Sequence, residues 1–558
     1  MEKRTLLAFA LSFLILVLWS AFYSPTGKRA PSTGDQAPAV EEQRPAVEPA
    51  PLRTGQESLS APQPQPAGPP PAAKPVPEQE VRVETPLYSA TWSNVDGLLE
   101  SFKLKNYRTA ANPNAPRVDL VNLADSRDGL LAFRFTREGV EPALPVLYEF
   151  SSARLEVTPE SGARTLVMTG QSSNGLVLEH TYRFYPDRYR IDVKTRTVNR
   201  GELPVEGALS ARMRNLPPSD QKSYYGFVGV ALLLNGELEE IKPKKMKDEE
   251  KRLSGSISWI AYEDDYFMAS VLPSTPSEGR FRGKTLPSGV LEADYLASPV
   301  RLGPQEQMSA DFSLYLGPRD VKILSAVGND LDKAVDFGWT DIIAKPLLQA
   351  LRFFNGYVHN YGFAILILTV LIKILFWPLT HKSYKSMKEM QKIQPLMAKL
   401  REKHKDNKEQ MNRELMQLYK TYKVNPMGGC LPMVIQIPVF LALFRVLSSS
   451  IELRHAPFIF WINDLSAPDR LFTFPFQIPF MAPPSGIPVL TLLMGASMFL
   501  QQKMSPSPGD PTQAKIMMFL PLIFTFVFIN FPSGLVLYWL TNNILSIGQQ
   551  YRILKKSA

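Results

Sequence analysis

Apolar residues in this chain are gathered into runs that approach the thickness of a bilayer, with basic residues between the runs. This feature limits the fold more than any other. A run of that length in lipid must satisfy its backbone polar groups internally, and a helix does so within one segment. One run extends from Leu6 to Tyr23, and the others all follow residue 360. Averages of 45% hydrophobic and 21% charged residues conceal the layout. Between the two apolar regions the texture is that of soluble protein. A chain of 558 residues is long enough for several domains of both kinds.

Lys3 and Arg4 precede the first run. Its length corresponds to about 27 Å of helix, close to the hydrocarbon core. It closes on Trp19, Phe22 and Tyr23, aromatics that suit the interface belt better than a signal-peptidase site. Residues 1–24 are therefore expected to be an uncleaved transmembrane anchor with its first residues in the cytoplasm. Residues 25–84 are rich in Pro, Ala, Gln and Glu, as in Gln63-Pro64-Gln65-Pro66. Too few large apolar groups are present to offset the entropy of ordering, so a disordered external tether is expected. A proline-rich docking segment is the alternative.

Residues 85–330 alternate with period two. In the run Leu176 to Phe184, and again in Tyr189, Ile191 and Val193, apolar side chains fall on one face. Turn residues punctuate the runs at Asn174-Gly175, Asn199-Arg200-Gly201 and Asn235-Gly236. Many short strands with such turns predict a large external all-β sandwich. Glu263, Asp264, Asp265 and Tyr266 could form a sugar-binding set of a kind some β-sandwiches carry. The plainer expectation is a solvated strand end.

In residues 331–558 the helical period takes over. Residues 340–357 read as an amphipathic helix lying at the membrane surface, with a buried helix of the soluble domain as the alternative. Five apolar spans follow at 361–379, 431–451, 487–502, 516–531 and 535–548. Several are shorter than the roughly 20 residues that cross a normal bilayer, which local thinning accommodates. The segment 380–427 carries twelve Lys and Arg against five acids, whereas 452–486 has Arg454 and Arg470 alone. Lys503 and Lys515 lie in the next loop, and Arg552, Lys555 and Lys556 in the tail. Positive charge thus falls on the cytoplasmic side throughout, giving six spans with both ends in the cytoplasm. Within 380–427, Met387, Met390, Met397 and Leu400, then Met411, Leu415, Leu418, Tyr419 and Tyr422, recur near helical spacing. They predict a helical hairpin. Its methionines are either an adaptable contact surface or the glue between its two arms. Its basic face suits ribosomal RNA or anionic headgroups.

Several chemistries are disfavoured. Cys430 is the single cysteine, and the five histidines form no His-Glu-x-x-His pattern. No Walker-type glycine loop is present. The net charge of +9 is concentrated beside apolar runs and not in a folded basic domain. Neither a cofactor nor a metal is expected, and no covalent reaction.

Lys373 interrupts the second span. A charge at the bilayer centre costs about 2.5–3.5 kcal/mol on insertion scales. Either it snorkels to the cytoplasmic interface past Pro378, or it lines a wet hollow between helices. Thr369 one turn earlier, Gln436 in the third span, and Thr541, Asn542 and Asn543 in the last favour the hollow. No Asp or Glu falls in the spans. A secondary transporter, the main rival, would call for a coupling carboxylate and inverted repeats. An intramembrane protease would need Ser533 in a Pro-Ser-Gly turn as nucleophile, with no membrane-embedded histidine as its base.

Asn425-Pro426-Met427-Gly428-Gly429-Cys430-Leu431-Pro432 with Gln436-Ile437-Pro438-Val439-Phe440 resembles the third-span signature of YidC insertases. So do Phe458 to Leu465 with Trp461, Gln502-Lys503-Met504-Ser505-Pro506, and Phe531-Pro532-Ser533-Gly534 running into Tyr538-Trp539. The resemblance is dense from about residue 340 onward and looser over 85–330. It implies a five-helix core with a hydrophilic groove open to cytoplasm and lipid, and a periplasmic β-supersandwich on a bacterial inner-membrane protein. It implies insertion of nascent membrane proteins, alone or with the Sec translocon; contact with ribosomes and membrane lipids is expected from the basic cytoplasmic loops and tail. The family's groove charge falls on Lys373, where many members carry Arg. Its groove polar residue falls on Thr369. Its client-contacting apolar positions fall on Ile437, Phe440, Tyr538 and Trp539, the last where relatives often carry a second Tyr.

Overall fold

The computed structural model describes residues 78–123, 129–136, 145–217, 226–274, 277–404, 407–424, 431–504 and 511–555. The expected anchor at 1–24 and the tether as far as residue 77 lie outside the described residues. Ordered structure begins within the segment assigned to the tether, at strand Glu80–Glu84. Val81 and Val83 are fully buried there, and Arg82 between them is exposed and pairs with Glu84. The proline-rich composition had been extended a few residues too far.

Two main sheets follow. The smaller runs Arg117–Asp119, Leu99–Arg108, Tyr88–Ser93, Glu80–Glu84 and Arg154–Glu156 in spatial order. The larger has fourteen strands. At its centre Arg190–Asn199 lies antiparallel between Leu176–Phe184 and Gln307–Pro318. Leu176, Leu178, His180, Tyr182 and Phe184 are buried in strict alternation, as are Ile191, Val193, Thr195 and Thr197. Trp92 of the small sheet meets Tyr182 and Phe184 of the large one at 5.6 and 5.4 Å. This contact closes the sandwich. Asn235 and Gly236 join Gly229–Leu234 to Glu237–Ile241 with φ of 52° and 81°. Two consecutive left-handed residues suit a tight hairpin, and Asn-Gly supplies them.

The strand end at Glu263 is not solvated. Glu263 is fully buried, with Arg319 at 3.0 Å. Asp264 accepts the backbone N–H groups of Tyr266 and Phe267 at 2.8 and 2.7 Å. Tyr266 donates to the Ser448 carbonyl at 3.4 Å, and the Arg454 guanidinium lies over the Tyr266 and Phe267 rings. This corner of the sandwich is seated on the helical region. A second tie lies nearby. Arg352 binds Glu452 and is 3.3 Å from Asp320, which caps the short helix Val321–Val327.

Among the described residues the helical region has eight principal helices: α1 (Asp341–Val358), α2 (Tyr361–Leu375), α3 (Trp377–Lys403), α4 (Lys408–Thr421), α5 (Leu431–Ser449), α6 (Val489–Met504), α7 (Pro511–Phe528) and α8 (Ser533–Lys555). α1 buries Ala344, Leu348 and Leu351 and exposes Ile342, Phe353 and Tyr357. The two faces correspond to the two readings of its pattern: one packs, the other is an unpartnered apolar stripe. The span expected at 361–379 is bent. α2 ends at Leu375, and α3 leaves at 63°. Pro378 is the cause. It lacks an N–H, its ring clashes with the preceding turn, and it is tolerated in the first turn of a new helix. Among the described residues no single helix is long and apolar enough to cross a membrane, while α2 and α3 pass that test as a bent pair.

α3 and α4 form the expected hairpin. Ile393, Met397, Leu415 and Val424 make a small closed core, with Met390, Leu400, Met411, Leu418 and Tyr419 against it. Most of the methionines therefore hold the arms together and are not free as a contact surface; Met416 is exposed.

Candidate functional site

The bend between α2 and α3 positions the site. α2 presents Lys373 from its last turn, and the departing first turn of α3 leaves space beside it. Ile372, Lys373, Phe376, Leu379 and Thr380 line one side of a hollow, and Ile435, Gln436 and Asn542 the other. Its empty space, counted together with the solvent at its open mouth, is about 310 Å³. Four elements thus contribute, α2, α3, α5 and α8. No carboxylate is among the lining residues.

Lys373 is buried among the helices. Its Nζ donates to Ser546 Oγ at 2.6 Å. Ser546 in turn donates to the Asn542 carbonyl one turn earlier in α8. Gln436 Nε2 donates to the Tyr538 hydroxyl at 3.2 Å. Thr380 exchanges hydrogen bonds with the Gln549 amide at 2.9 and 3.1 Å. Further along α8, Asn543 donates to Ser497 of α6. Buried polar groups are paired across helices here, as an apolar surrounding demands.

The sequence-derived residues separate into groups. Lys373 and Gln436 line the hollow together. Thr369 does not line it. Its hydroxyl is buried and donates to the Ile365 carbonyl at 2.6 Å, the back-bond a helical threonine makes when no better acceptor faces it. Ile437 is exposed on α5. Phe440 and Trp539 pack edge to face at 4.7 Å, joined by Phe528. Tyr538 is buried and tied to Gln436, so it forms part of the wall and not an open apolar contact. Adjacent residues on a helix point apart, which is why Tyr538 and Trp539 differ.

Ser546, Gln549 and Thr380 were not singled out from the sequence. Serine and glutamine are ordinary in a helix, and their recurrence at Asn542, Ser546 and Gln549, spacings of four and three, was the available signal. Arg445, in 431–451, is a second cation within the expected spans, after Lys373. It acts toward the sandwich: burial raises the Glu240 carboxyl, and Arg319 and Arg445 are among the cations that pull it down. Ser533 Oγ donates to the Asp464 carbonyl at 2.8 Å and is buried, a turn-fixing contact.

The family described as 60Kd inner membrane protein matches residues 353–558, and the YidC periplasmic domain matches residues 80–350. The membrane protein insertase YidC of Syntrophus aciditrophicus is 42% identical over 562 residues, covering 100% of both chains. That of Pelobacter propionicus is 42% identical over 559 residues, covering 100% of this chain and 99% of the relative. A crystal structure of an active YidC insertase, with its first transmembrane domain resolved, covers 85% of this chain and 93% of its own at 16% identity and a TM-score of 0.37. Sequence identity at this level over the full length of both proteins decides the assignment: the chain belongs to the YidC family of membrane protein insertases, with an all-β periplasmic domain followed by a helical membrane region.

Proposed function

We propose that this protein inserts apolar segments of nascent membrane proteins into the inner membrane through the hollow at Lys373. The observation that carries the reading is a buried amine, held by Ser546, in a polar-lined hollow between helices with no carboxylate in its lining. A proton-coupled or cation-coupled transporter would use an acid at that place. A lone positive charge instead attracts acidic groups on an entering polypeptide.

In this mechanism a client's polar external segment enters the hollow from the cytoplasm. α2 has 15 residues, about 22 Å of helix against roughly 30 Å of hydrocarbon, so polar groups leave water over a shortened path. The client's apolar segment then passes along α5 and α8, by Ile437, Phe440 and Trp539, into lipid. Burial of its apolar surface drives the step. The membrane potential adds about 2.3 kcal/mol per acidic charge per 100 mV. Six spans with both termini cytoplasmic place the basic α3–α4 hairpin where a ribosome and anionic lipids are reached. The Sec translocon is a partner for larger clients. No cofactor takes part.

The test is site-specific crosslinking from Phe440 and Trp539 to a stalled single-span client with an acidic external tail, combined with substitutions at Lys373. Lys373→Arg is expected to retain insertion and Lys373→Glu to lose it. Equal insertion by both variants removes the amine from the mechanism. An absence of crosslinks at both positions removes the path along α5 and α8.

A further inference from the structure

The external loop between α5 and α6 carries a surface that insertion at Lys373 does not use. Residues 471–487 contain no Asp, Glu, Lys, Arg or His. Phe472, Phe476 and Phe480 within them are 71%, 61% and 82% exposed. Phe460, earlier in the loop, is 85% exposed. Single exposed apolar residues are ordinary on a protein surface, but several large rings together on an uncharged segment mark an interaction site.

The rings are fixed outward. Strands Leu471–Thr473 and Gly486–Ile487 pair across the loop. Arg470 donates to the carbonyls of Pro484, Asp469 and Ile529 at 3.0, 2.8 and 2.9 Å. Asn530, at the end of α7, donates to the Phe480 carbonyl at 2.8 Å and accepts from the Ala482 N–H at 2.7 Å. Asp469 accepts from the Trp461 indole and from the Leu490 N–H. Phe460, Phe472 and Phe480 have φ of 56°, 54° and 65°. A bulky residue held in that region costs on the order of 1–3 kcal/mol and persists where its surroundings over-determine it. The frame holds the rings out against local preference.

What covers the rings is given by what they adjoin. Phe480 contacts Phe526 of α7 at 6.0 Å. Phe526 ends an exposed stripe on α7 made by Phe519, Leu522 and Ile523. In an inner-membrane family, an apolar stripe on the outside of a helix faces acyl chains. The loop continues that stripe outward with no charged residue in 471–487. A protein partner recognised by charge would find no complement there. Phenylalanine favours the acyl side of the interface, where apolar faces of surface-lying segments sit about 5–10 Å deep.

We propose that loop 471–487 is a rigid aromatic wedge seated in the outer leaflet beside α7, with the headgroup–acyl boundary of the phospholipids as its occupant. It holds the external ends of α6 and α7 at a set depth.

The test uses the full-length protein in phospholipid nanodiscs. In a Cys430→Ser background, single cysteines at Phe472, Phe476 and Phe480 are spin-labelled, with a label at exposed Lys194 as the aqueous reference. Accessibility to oxygen and to a water-soluble nickel chelate gives the depth of each label. All three loop labels are expected to lose nickel accessibility relative to Lys194 and to gain oxygen accessibility. Phe476 lies outside the left-handed positions, so its label reports even if substitution at the other two disturbs the frame. Labels that stay open to nickel in lipid overturn the proposal, whether or not an added protein later covers them. Burial at Phe480 alone also overturns it, because that position touches α7 without any wedge.

Discussion

Full burial and an incomplete set of hydrogen bonds make Glu263 a titrating group near neutrality. Its oxygens have no aligned hydrogen bond among the described residues, although Arg319 is 3.0 Å away. Burial pushes its carboxyl up from 4.5 to about 7, with the Arg319 charge opposing. Between those values the folded protein holds a proton that the unfolded chain has released. The stability this group contributes is complete below pH 4.5 and is lost as pH rises toward 7. The effect is at most about 3 kcal/mol. Glu263→Gln keeps the neutral shape and is expected to remove that slope. Thermal midpoints of both proteins from pH 4 to 8 check it, and a difference independent of pH rejects it. The sequence around Glu263 did not announce this burial. Three adjacent acids read as a wet strand end, and the cation that sits beside Glu263 comes from Arg319, five strands further along the chain. Lys373 was legible for the opposite reason, as a lone charge in an apolar run; its partner Ser546 was not, because nothing local distinguishes that serine.

Elements were legible where one cause acts along the chain. The sandwich strands follow their period, and the hairpin its apolar spacing. Helix limits were less so. α7 begins at Pro511 and α8 runs to Lys555, each past the apolar run that marked it, because backbone hydrogen bonding continues beyond the lipid-like stretch. Close helix packing was not legible at all. A side chain at Gly495 of α6 would run into Thr525 of α7, so these helices approach at a point where glycine alone fits. Gly495→Ala is expected to force them apart and lower the thermal midpoint, by about 1–3 kcal/mol of overpacking. Adding Thr525→Ala removes the hydroxyl that the new methyl meets and is expected to recover much of the loss. A double variant no more stable than Gly495→Ala places the strain elsewhere.

Among the described residues, ties that join sandwich and membrane region include one through Tyr266 and Arg454 and another through Asp320 and Arg352. Deleting residues 85–320 removes both but leaves Arg352 paired with Glu452 and leaves every residue of the hollow. Insertion of a short single-span client is expected to survive the deletion largely intact, measured by protease protection of its external tail. Complete loss in a stably expressed truncation moves the activity into the sandwich. Within the membrane region, polar groups beside the hollow bond one another at rest: Lys373 to Ser546, Gln436 to Tyr538, Thr380 to Gln549. On the proposed path, a polypeptide that takes one of these partners trades one bond for another, and that exchange gains little net free energy. A passage that held its traffic tightly would clog, and exchanges close to even would let a client go.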